Sequence, residues 1–179
     1  MLDNCCAFTG HRPHKFPWKY NEDDERCVAL KAALEEQIIA LVKAGVTDFY
    51  SGGADGVDCW AALDVLALRK ERPELRLHCV LPHEGQANEW SQSAQERYHS
   101  ILAQADSVEY VSREYYDGCM IERNHRLVEA AGYLLAVYNG VRRSGTGATV
   151  NFARKLGRQI ILIDPITGNV TYEGHNTTF

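Results

Sequence analysis

The fold is decided by the stretch Ser51-Gly52-Gly53-Ala54-Asp55-Gly56-Val57-Asp58. It follows a short apolar run, Val46 to Tyr50, and leads into a segment with helical spacing. A strand, a glycine-rich turn and a helix in this order place backbone N–H groups at the carboxyl edge of a sheet, where open α/β folds bind phosphorylated ligands. The spacing is not that of the dinucleotide fingerprint G-x-G-x-x-G, so a glycine turn without a ligand stays an equal alternative.

The composition is that of an ordinary globular protein. The chain has 179 residues, which suits one domain with a full core. Its formal net charge of −5 argues against broad, non-specific binding of nucleic acid but leaves room for a local cationic pocket. No apolar run approaches the ~20 residues that span a bilayer, and the N-terminus lacks the basic region of a signal peptide. We therefore expect a cytoplasmic protein that makes no membrane contact.

The cysteines and histidines show no metal-binding spacing. The six cysteines are scattered without a C-x-x-C pair, so we interpret them as reduced and mostly buried. The histidines form no H-x-x-x-H pattern, and no metal site is predicted. The sequence also lacks the G-x-S-x-G nucleophile elbow and the G-x-x-x-x-G-K-[ST] phosphate loop.

Strands and helices alternate along the chain. The apolar runs that predict strands are 5–9, 46–50, 75–81, 108–111, 133–138 and 160–163. Alternation of this kind predicts an α/β fold, a single three-layer domain whose mostly parallel sheet of about six strands has helices on both faces. The domain occupies residues 1–179, with a core at 5–164 and a polar C-terminal tail at 165–179 that holds at most one edge strand.

Loops that follow parallel strands meet at one edge of the sheet. Here they cover residues 10–15, 51–58, 82–88, 112–118 and 139–147. Three of them are rich in glycine or in cationic residues, which predicts a small-molecule pocket at this edge. The ligand-binding candidates in the first two loops are Gly10, His11, Arg12, Ser51, Gly52, Gly53, Asp55 and Gly56.

The best candidate for a phosphate-binding loop is Ser144-Gly145-Thr146-Gly147, at the start of a predicted helix. Its free N–H groups, its two hydroxyls and the side chain of Arg142 or Arg143 can all donate hydrogen bonds to an anion. The alternative is an ordinary N-cap with glycines for the turn.

The glycine loop at 51–58 contains carboxylates, whereas the loop at 144–147 contains none. Asp55 and Asp58 would repel a phosphate, so we assign their loop to the base or ribose of a ligand, or to a capped turn that shapes the pocket. Arg123 and Asn124 lie near the start of a helix and are expected beside the same edge.

Three segments in this order resemble the SLOG superfamily of Rossmann-like domains. They are Thr9-Gly10-His11-Arg12-Pro13, then Ser51 to Asp58, then Glu122-Arg123-Asn124 continuing through 133–138 to Ser144-Gly145-Thr146-Gly147. The resemblance covers about residues 5–164. The chain is most similar to the YpsA-like proteins, and the superfamily also contains DprA/Smf proteins and LOG phosphoribohydrolases.

The resemblance implies a pocket for a nucleotide or nucleotide-derived ligand and no certain cofactor. By matching position, the ligand-binding residues are Gly52, Gly53, Gly56, Arg123, Asn124, Ser144, Gly145, Thr146 and Gly147. In LOG-like enzymes the arginine of this helix and a glutamate after the last glycine loop cleave an N-glycosidic bond. Arg123 matches that arginine, but Ala148-Thr149-Val150-Asn151 contains no acid, and Glu122 is the only nearby substitute.

Three functions remain open at this point. The first is a regulatory or sensor module that binds a nucleotide-like ligand without turning it over, which the missing acid favours. The second is a LOG-like phosphoribohydrolase acting on nucleoside monophosphates. The third, single-stranded DNA binding as in DprA, is disfavoured by the acidic net charge. The oligomeric state is open, with a homodimer through outer helices as one option.

Overall fold

The structure, a computed structural model, describes residues 2–174. Within these residues, two short 3-10 turns, at Leu2–Asn4 and Pro13–Lys15, accompany seven strands and five α-helices. The strands are β1 (Cys5–Gly10), β2 (Asp48–Ser51), β3 (Arg76–His83), β4 (Ser107–Ser112), β5 (Tyr133–Val137), β6 (Gln159–Ile163) and β7 (Val170–Glu173). The helices are α1 (Glu25–Lys43), α2 (Val57–Leu68), α3 (Gln92–Gln104), α4 (Cys119–Glu129) and α5 (Gly145–Lys155).

All seven strands join one sheet in the order β4-β3-β2-β1-β5-β6-β7. The first six are parallel, and β7 pairs antiparallel with β6, Val170 opposite Ile163. This confirms the α/β class and the mostly parallel sheet, with one strand more than the six expected. The tail predicted at 165–179 therefore contains an ordered edge strand, and its last part, 175–179, lies outside the described residues.

The two faces of the sheet carry separate hydrophobic cores. Along β1, Cys6 and Phe8 point into the core formed with α1, α2 and α3. Ala7, which points to the opposite face, packs in the core formed with α4 and α5. Successive side chains of a strand alternate between faces, so an apolar run such as β1 is required where both faces are covered.

Strand boundaries differ from the sequence prediction at β3. The prediction ended this strand at Leu81 and began a loop at Pro82, whereas the strand continues to His83. Proline lacks the N–H that a strand needs for pairing on both sides. Pro82 is tolerated because β3 stops pairing with β2 at Cys79, and because Pro82 is not itself paired with a residue of β4. The prediction that the cysteines are mostly buried is confirmed, since all six are buried.

The sheet changes direction between β1 and β5. Strands β1 to β4 follow one another to one side, and β5 and β6 follow to the other, so the loops after β1 and β5 diverge. Such a switch point opens a crevice at the carboxyl edge, where α/β folds bind ligands. Gly10 ends β1 at this crevice. Position 10 favours glycine, because a Cβ there would lie 2.6 Å from Cβ of Val57 at the start of α2.

Candidate functional site

A cavity of about 350 Å³ lies at the switch point between β1 and β5. Its wall comes from the loop after β1, the start of α2, the first turns of α4 and the start of α5. The lining residues are Thr9, Gly10, His11, Arg12, His14, Lys15, Ala54, Asp58, Met120, Arg123, Asn124, Ser144, Gly145 and Thr146.

The structure divides the predicted ligand-binding residues into two groups. Those in the cavity wall are Gly10, His11, Arg12, Arg123, Asn124, Ser144, Gly145 and Thr146. Those outside the wall are Ser51, Gly52, Gly53, Asp55, Gly56, Arg143 and Gly147. Ligand binding by either group stays a prediction, and the second group does not line this cavity.

Arg123 is buried and fixed by the loop after β2. Its side chain is 5% exposed, and Nη1 donates a hydrogen bond to the carbonyl of Gly52. Nε donates to Oδ1 of Asn124 at 2.7 Å, and Nη1 approaches Oε1 of Gln86 at 3.4 Å. A Cβ on Gly52 would lie 2.8 Å from both Cζ of Arg123 and Oδ2 of Asp58. The guanidinium therefore explains why position 52 is glycine.

Asp58 brings a buried carboxyl group into the same wall. Its Oδ2 accepts a hydrogen bond from the backbone N–H of Ala54 at 3.3 Å. Burial raises the pKa of Asp58, while the Arg123 guanidinium acts in the opposite sense. Arginine keeps its charge even when buried, so Asp58 faces a permanent cation.

The rest of the loop after β2 satisfies its own polar groups. The hydroxyl of Ser51 donates to the carbonyl of Asp58 at 3.0 Å and accepts from the N–H of Gly53 at 3.1 Å. Oδ1 of Asp55 accepts from the N–H of Gly56 at 2.9 Å. These bonds match the capped turn that the sequence offered as one interpretation.

The loop before α5 leaves two donors free. Ser144 is the N-cap of α5: its hydroxyl accepts from the N–H of Gly147 at 3.0 Å and donates to the carbonyl of Val141 at 2.7 Å. The Ser144 hydroxyl proton, which the sequence assigned to an anion, is thus used within the loop. Within residues 2–174, the N–H groups of Gly145 and Thr146 have no acceptor. They belong to the first turn of a helix, whose N–H groups have no partner inside the helix.

Two cations line the cavity without a carboxylate partner. Arg12 and Lys15 form no ion pair among the described residues, and the hydrogen bond that Nη2 of Arg12 makes is a weak one to Sδ of Met120 at 3.9 Å. With Arg123 they give the wall three basic side chains against the one carboxyl group, that of Asp58, found there among the described residues. This balance favours an anionic ligand.

His11 joins the end of β1 to the loop before α5. The residue is 6% exposed, and Nε2 of its ring lies 3.0 Å from Oδ1 of Asn139. Nδ1 lies 3.5 Å from Oγ1 of Thr146. Burial lowers the pKa of His11, the hydrogen bond to Asn139 raises it, and the charge of Lys15 lowers it.

Glu122, the candidate substitute for a catalytic glutamate, lies outside the cavity. Its carboxylate is half-buried and accepts hydrogen bonds from Nη2 of Arg126 at 2.6 Å and from the hydroxyl of Tyr116. Among residues 2–174 there is no group of three His, Cys, Asp or Glu side chains arranged to hold a metal.

Sequence reasoning did not single out Met120, Lys15 or Gln86. Met120 and Lys15 line the cavity, and the Gln86 amide donates to the carbonyl of Gly52 at 3.3 Å. Lys15 had a signal, because it belongs to a loop directly after a strand. Met120 and Gln86 had none, since their positions depend on how separate elements pack.

Most of the chain matches a known protein family. Residues 6–164 match the model of the YspA SLOG family (YpsA). The chain belongs to this family. Several proteins of similar length are similar to this YpsA-family chain. A UPF0398 protein of Halalkalibacterium halodurans is 29% identical over 86% of this chain and 82% of its own length, and one of Shouchella clausii is 34% identical over 73% and 71%.

Solved structures share the fold of this YpsA-family chain. DprA of Helicobacter pylori, described for its single-stranded DNA binding mode, superposes with a TM-score of 0.63 at 18% identity, covering 91% of this chain and 66% of that one. DprA of Streptococcus pneumoniae gives 0.58 at 14% identity, covering 90% and 52%. The protein TM1055 gives 0.54 at 17% identity, covering 92% and 76%. The chain thus spans about half to two thirds of the two DprA chains, and at these identities the likeness concerns the fold.

One further property follows from the helices themselves. None of those in residues 2–174 combines the length and the apolar character that crossing a bilayer requires.

Proposed function

We propose that this protein binds an anionic, nucleotide-derived ligand in the cavity between β1 and β5 and acts as a regulatory or sensor module. One observation carries the proposal. The free N–H groups of Gly145 and Thr146 share a cavity with Arg12 and Lys15, neither of which is neutralised by a carboxylate of the described residues. Donors and cations converge on one space that is large enough for a small ligand.

The energies indicate which groups matter most. A helix N-terminus stabilises an exposed anion by only about 0.3–1 kcal/mol. A hydrogen bond to a charged group contributes about 1.5–3 kcal/mol. Arg12 and Lys15 should therefore supply most of the binding free energy, and α5 should orient the anion.

Binding without turnover is favoured by the carboxyl groups near the cavity. The wall contains one, Asp58, which is held by the N–H of Ala54. Glu122 is turned outward and bound to Arg126. Incubation with nucleoside monophosphates should release no free base. Release at a rate that Arg12→Ala abolishes would establish a phosphoribohydrolase in place of a sensor.

Calorimetric titration with a panel of nucleotides, with sulfate as a minimal anion, tests the proposal. The decisive variant is Gly145→Asp, which adds a carboxylate beside the free N–H groups in open space. An acidic residue in the first helical turn does not weaken a helix, so stability should be retained while affinity falls at least about tenfold. Gly145→Asn has the same shape without the charge and should bind within about threefold of wild type.

Arg12→Ala provides the second arm of the same experiment. Since Arg12 makes no ion pair among the described residues, its loss should lower affinity by about tenfold or more with little change in stability. Arg76→Ala removes an equal charge from an exposed position at the other end of β3 and should bind as wild type does. A panel in which nothing binds wild type, or in which Arg12→Ala binds unchanged, contradicts the proposal.

Single-stranded DNA binding is the second candidate. It is favoured by Arg142 and Arg143, which are exposed just before α5 and form no ion pair among the described residues. A binding constant for oligonucleotides that falls steeply with salt, and that falls further in the double variant Arg142→Ala/Arg143→Ala, would support it. Salt-independent or absent DNA binding removes it.

A further inference from the structure

The position of the proton on His11 follows from a chain of hydrogen bonds. Oδ1 of Asn139 accepts from the backbone N–H of Val141 at 3.1 Å, which identifies that atom as the amide oxygen. The same oxygen lies 3.0 Å from Nε2 of His11. An oxygen can only accept, so Nε2 carries the proton of a neutral imidazole and Nδ1 has the lone pair.

The lone pair on Nδ1 is poorly satisfied. Its nearest partner is Oγ1 of Thr146 at 3.5 Å, longer than an ordinary hydrogen bond to a hydroxyl. His11 is more than nine-tenths buried and lines the cavity together with Thr146, whose N–H is one of the free donors of α5. Nδ1 can therefore exchange this long contact for a shorter hydrogen bond to a ligand in the cavity.

We propose that His11 takes up a proton from solvent at Nδ1 when an anion of the phosphate class binds at the start of α5, and that this new N–H donates to the anion. The inference rests on the proposed function, because it concerns the same anion. Nε2 keeps its hydrogen bond to Asn139 throughout, so the ring stays in place while its charge changes from zero to one.

The charged and titratable groups around His11 determine the direction of the effect. Those of its own loop are Arg12, His14 and Lys15, while Arg123 comes from α4 and Asp58 from α2. Tyr138 and Asn139 follow β5, and Thr146 belongs to α5. Burial lowers the pKa of His11 in the free protein, and the charge of Lys15 lowers it further. A bound anion opposes both effects, so the pKa rises on binding and binding tightens as the pH falls.

Sulfate is the probe, because its charge is constant over the range of about pH 5 to 8 in which histidine titrates. Calorimetry in two buffers of different ionisation enthalpy counts the protons taken up. For a rise of about one unit in the pKa of His11, affinity increases about tenfold from pH 8 to pH 5, and about half a proton enters per sulfate near the midpoint.

Two variants assign the proton to this ring. In His11→Gln the amide N–H still reaches Asn139 but cannot titrate, so sulfate should bind with an affinity independent of pH. His99→Gln changes an exposed histidine of α3 that does not line the cavity, and it should keep the wild-type proton uptake. Nitrogen-15 NMR of the wild-type imidazole, which depends on no variant, should show Nε2–H in the free protein and a doubly protonated ring with sulfate.

The outcomes separate this inference from the one it rests on. Sulfate binding without proton uptake, or pH dependence that persists in His11→Gln, overturns the role of His11 and leaves the anion site standing. A free ring protonated at Nδ1 also overturns it. Absence of binding by sulfate and by every nucleotide overturns both.

Discussion

Two glycine-rich loops meet at the switch point of the sheet, and their glycines serve different ends. In the first glycine loop, residues 52–56, a Cβ would collide with protein. It would lie 2.8 Å from Arg123 Cζ at Gly52, 2.7 Å from Leu81 Cδ2 at Gly53 and 2.9 Å from Pro13 Cδ at Gly56. In the second glycine loop, residues 144–147, a Cβ on Gly145 meets nothing within 4 Å.

Glycine-rich spacing therefore indicates that another group comes close to the backbone, but it does not show whether that group is protein or ligand. In the first loop, protein atoms occupy the space beside the glycines, and Arg123 donates a hydrogen bond to the carbonyl of Gly52. The second keeps free N–H groups next to empty space at Gly145, as a ligand site requires. Gly147 belongs with the first kind, because its Cβ would lie 2.7 Å from the carbonyl oxygens of Val141 and Arg142.

The largest expected effect comes from adding one methyl group to each loop. Gly52→Ala should lower the free energy of unfolding by about 2–3 kcal/mol, because the new Cβ displaces a buried and hydrogen-bonded guanidinium. Gly145→Ala should leave stability unchanged or raise it by about 0.5 kcal/mol, since its backbone is not in the left-handed region and the space is open. Urea unfolding of both variants measures the difference.

Equal free energies of unfolding for Gly52→Ala and Gly145→Ala would contradict the contrast between the loops. Arg123→Lys provides a matched check on the first loop, because a lysine can keep the charge beside Asp58 but not the forked hydrogen bonds. Its stability should fall between those of wild type and Arg123→Ala, and a stability equal to wild type would show that the forked geometry is unimportant.

The sequence predicted the fold well because the evidence for it is local. Short apolar runs marked six strands, and each lies in the sheet. The seventh, Val170–Glu173, alternates polar and apolar residues over only four positions and pairs on one side. Its existence depends on β6 being beside it, which no short stretch of sequence reveals.

The position of the cavity could be predicted from the sequence, but the details of its wall only partly. His11 and Arg12 could be found because they follow a strand directly. The burial of Arg123 could not, because an arginine on a helix is usually solvated and here the first glycine loop folds over it. The use of the Ser144 hydroxyl by Val141 likewise depends on how the second loop turns.

A smaller effect, in pH dependence, sharpens the role of the aspartate that follows the first glycine loop. Burial raises the pKa of Asp58 above its unfolded value, despite the opposing Arg123 charge. Such a group contributes stability that is complete below the unfolded pKa of about 3.9 and is lost as the pH rises through the folded pKa. Relative to wild type, Asp58→Asn should therefore gain stability with rising pH above about 4, by at most about 1.4 kcal/mol per pH unit.

Urea unfolding of the two proteins across this range measures the difference. Asp64, also on α2, has a pKa that burial, assisted by the charge of Glu35, raises to about 7, so wild type should be compared with Asp64→Asn as well. The Asp64 contribution has the same sign and should be additive with that of Asp58. A difference between Asp58→Asn and wild type that is constant with pH would show that the Asp58 carboxyl titrates alike in both states.

The smallest expected effect concerns the hydroxyl of the second glycine loop. Ser144→Ala removes the N-cap of α5 and should cost about 1 kcal/mol of stability. Anion affinity should change by less than about threefold, because the donors that face the cavity are the N–H groups of Gly145 and Thr146. Ser144→Thr retains the hydroxyl and should match wild type in both measurements. If Ser144→Ala instead loses about tenfold in sulfate affinity with its stability intact, the hydroxyl contacts the anion, and the second loop binds through its side chains as well as its backbone.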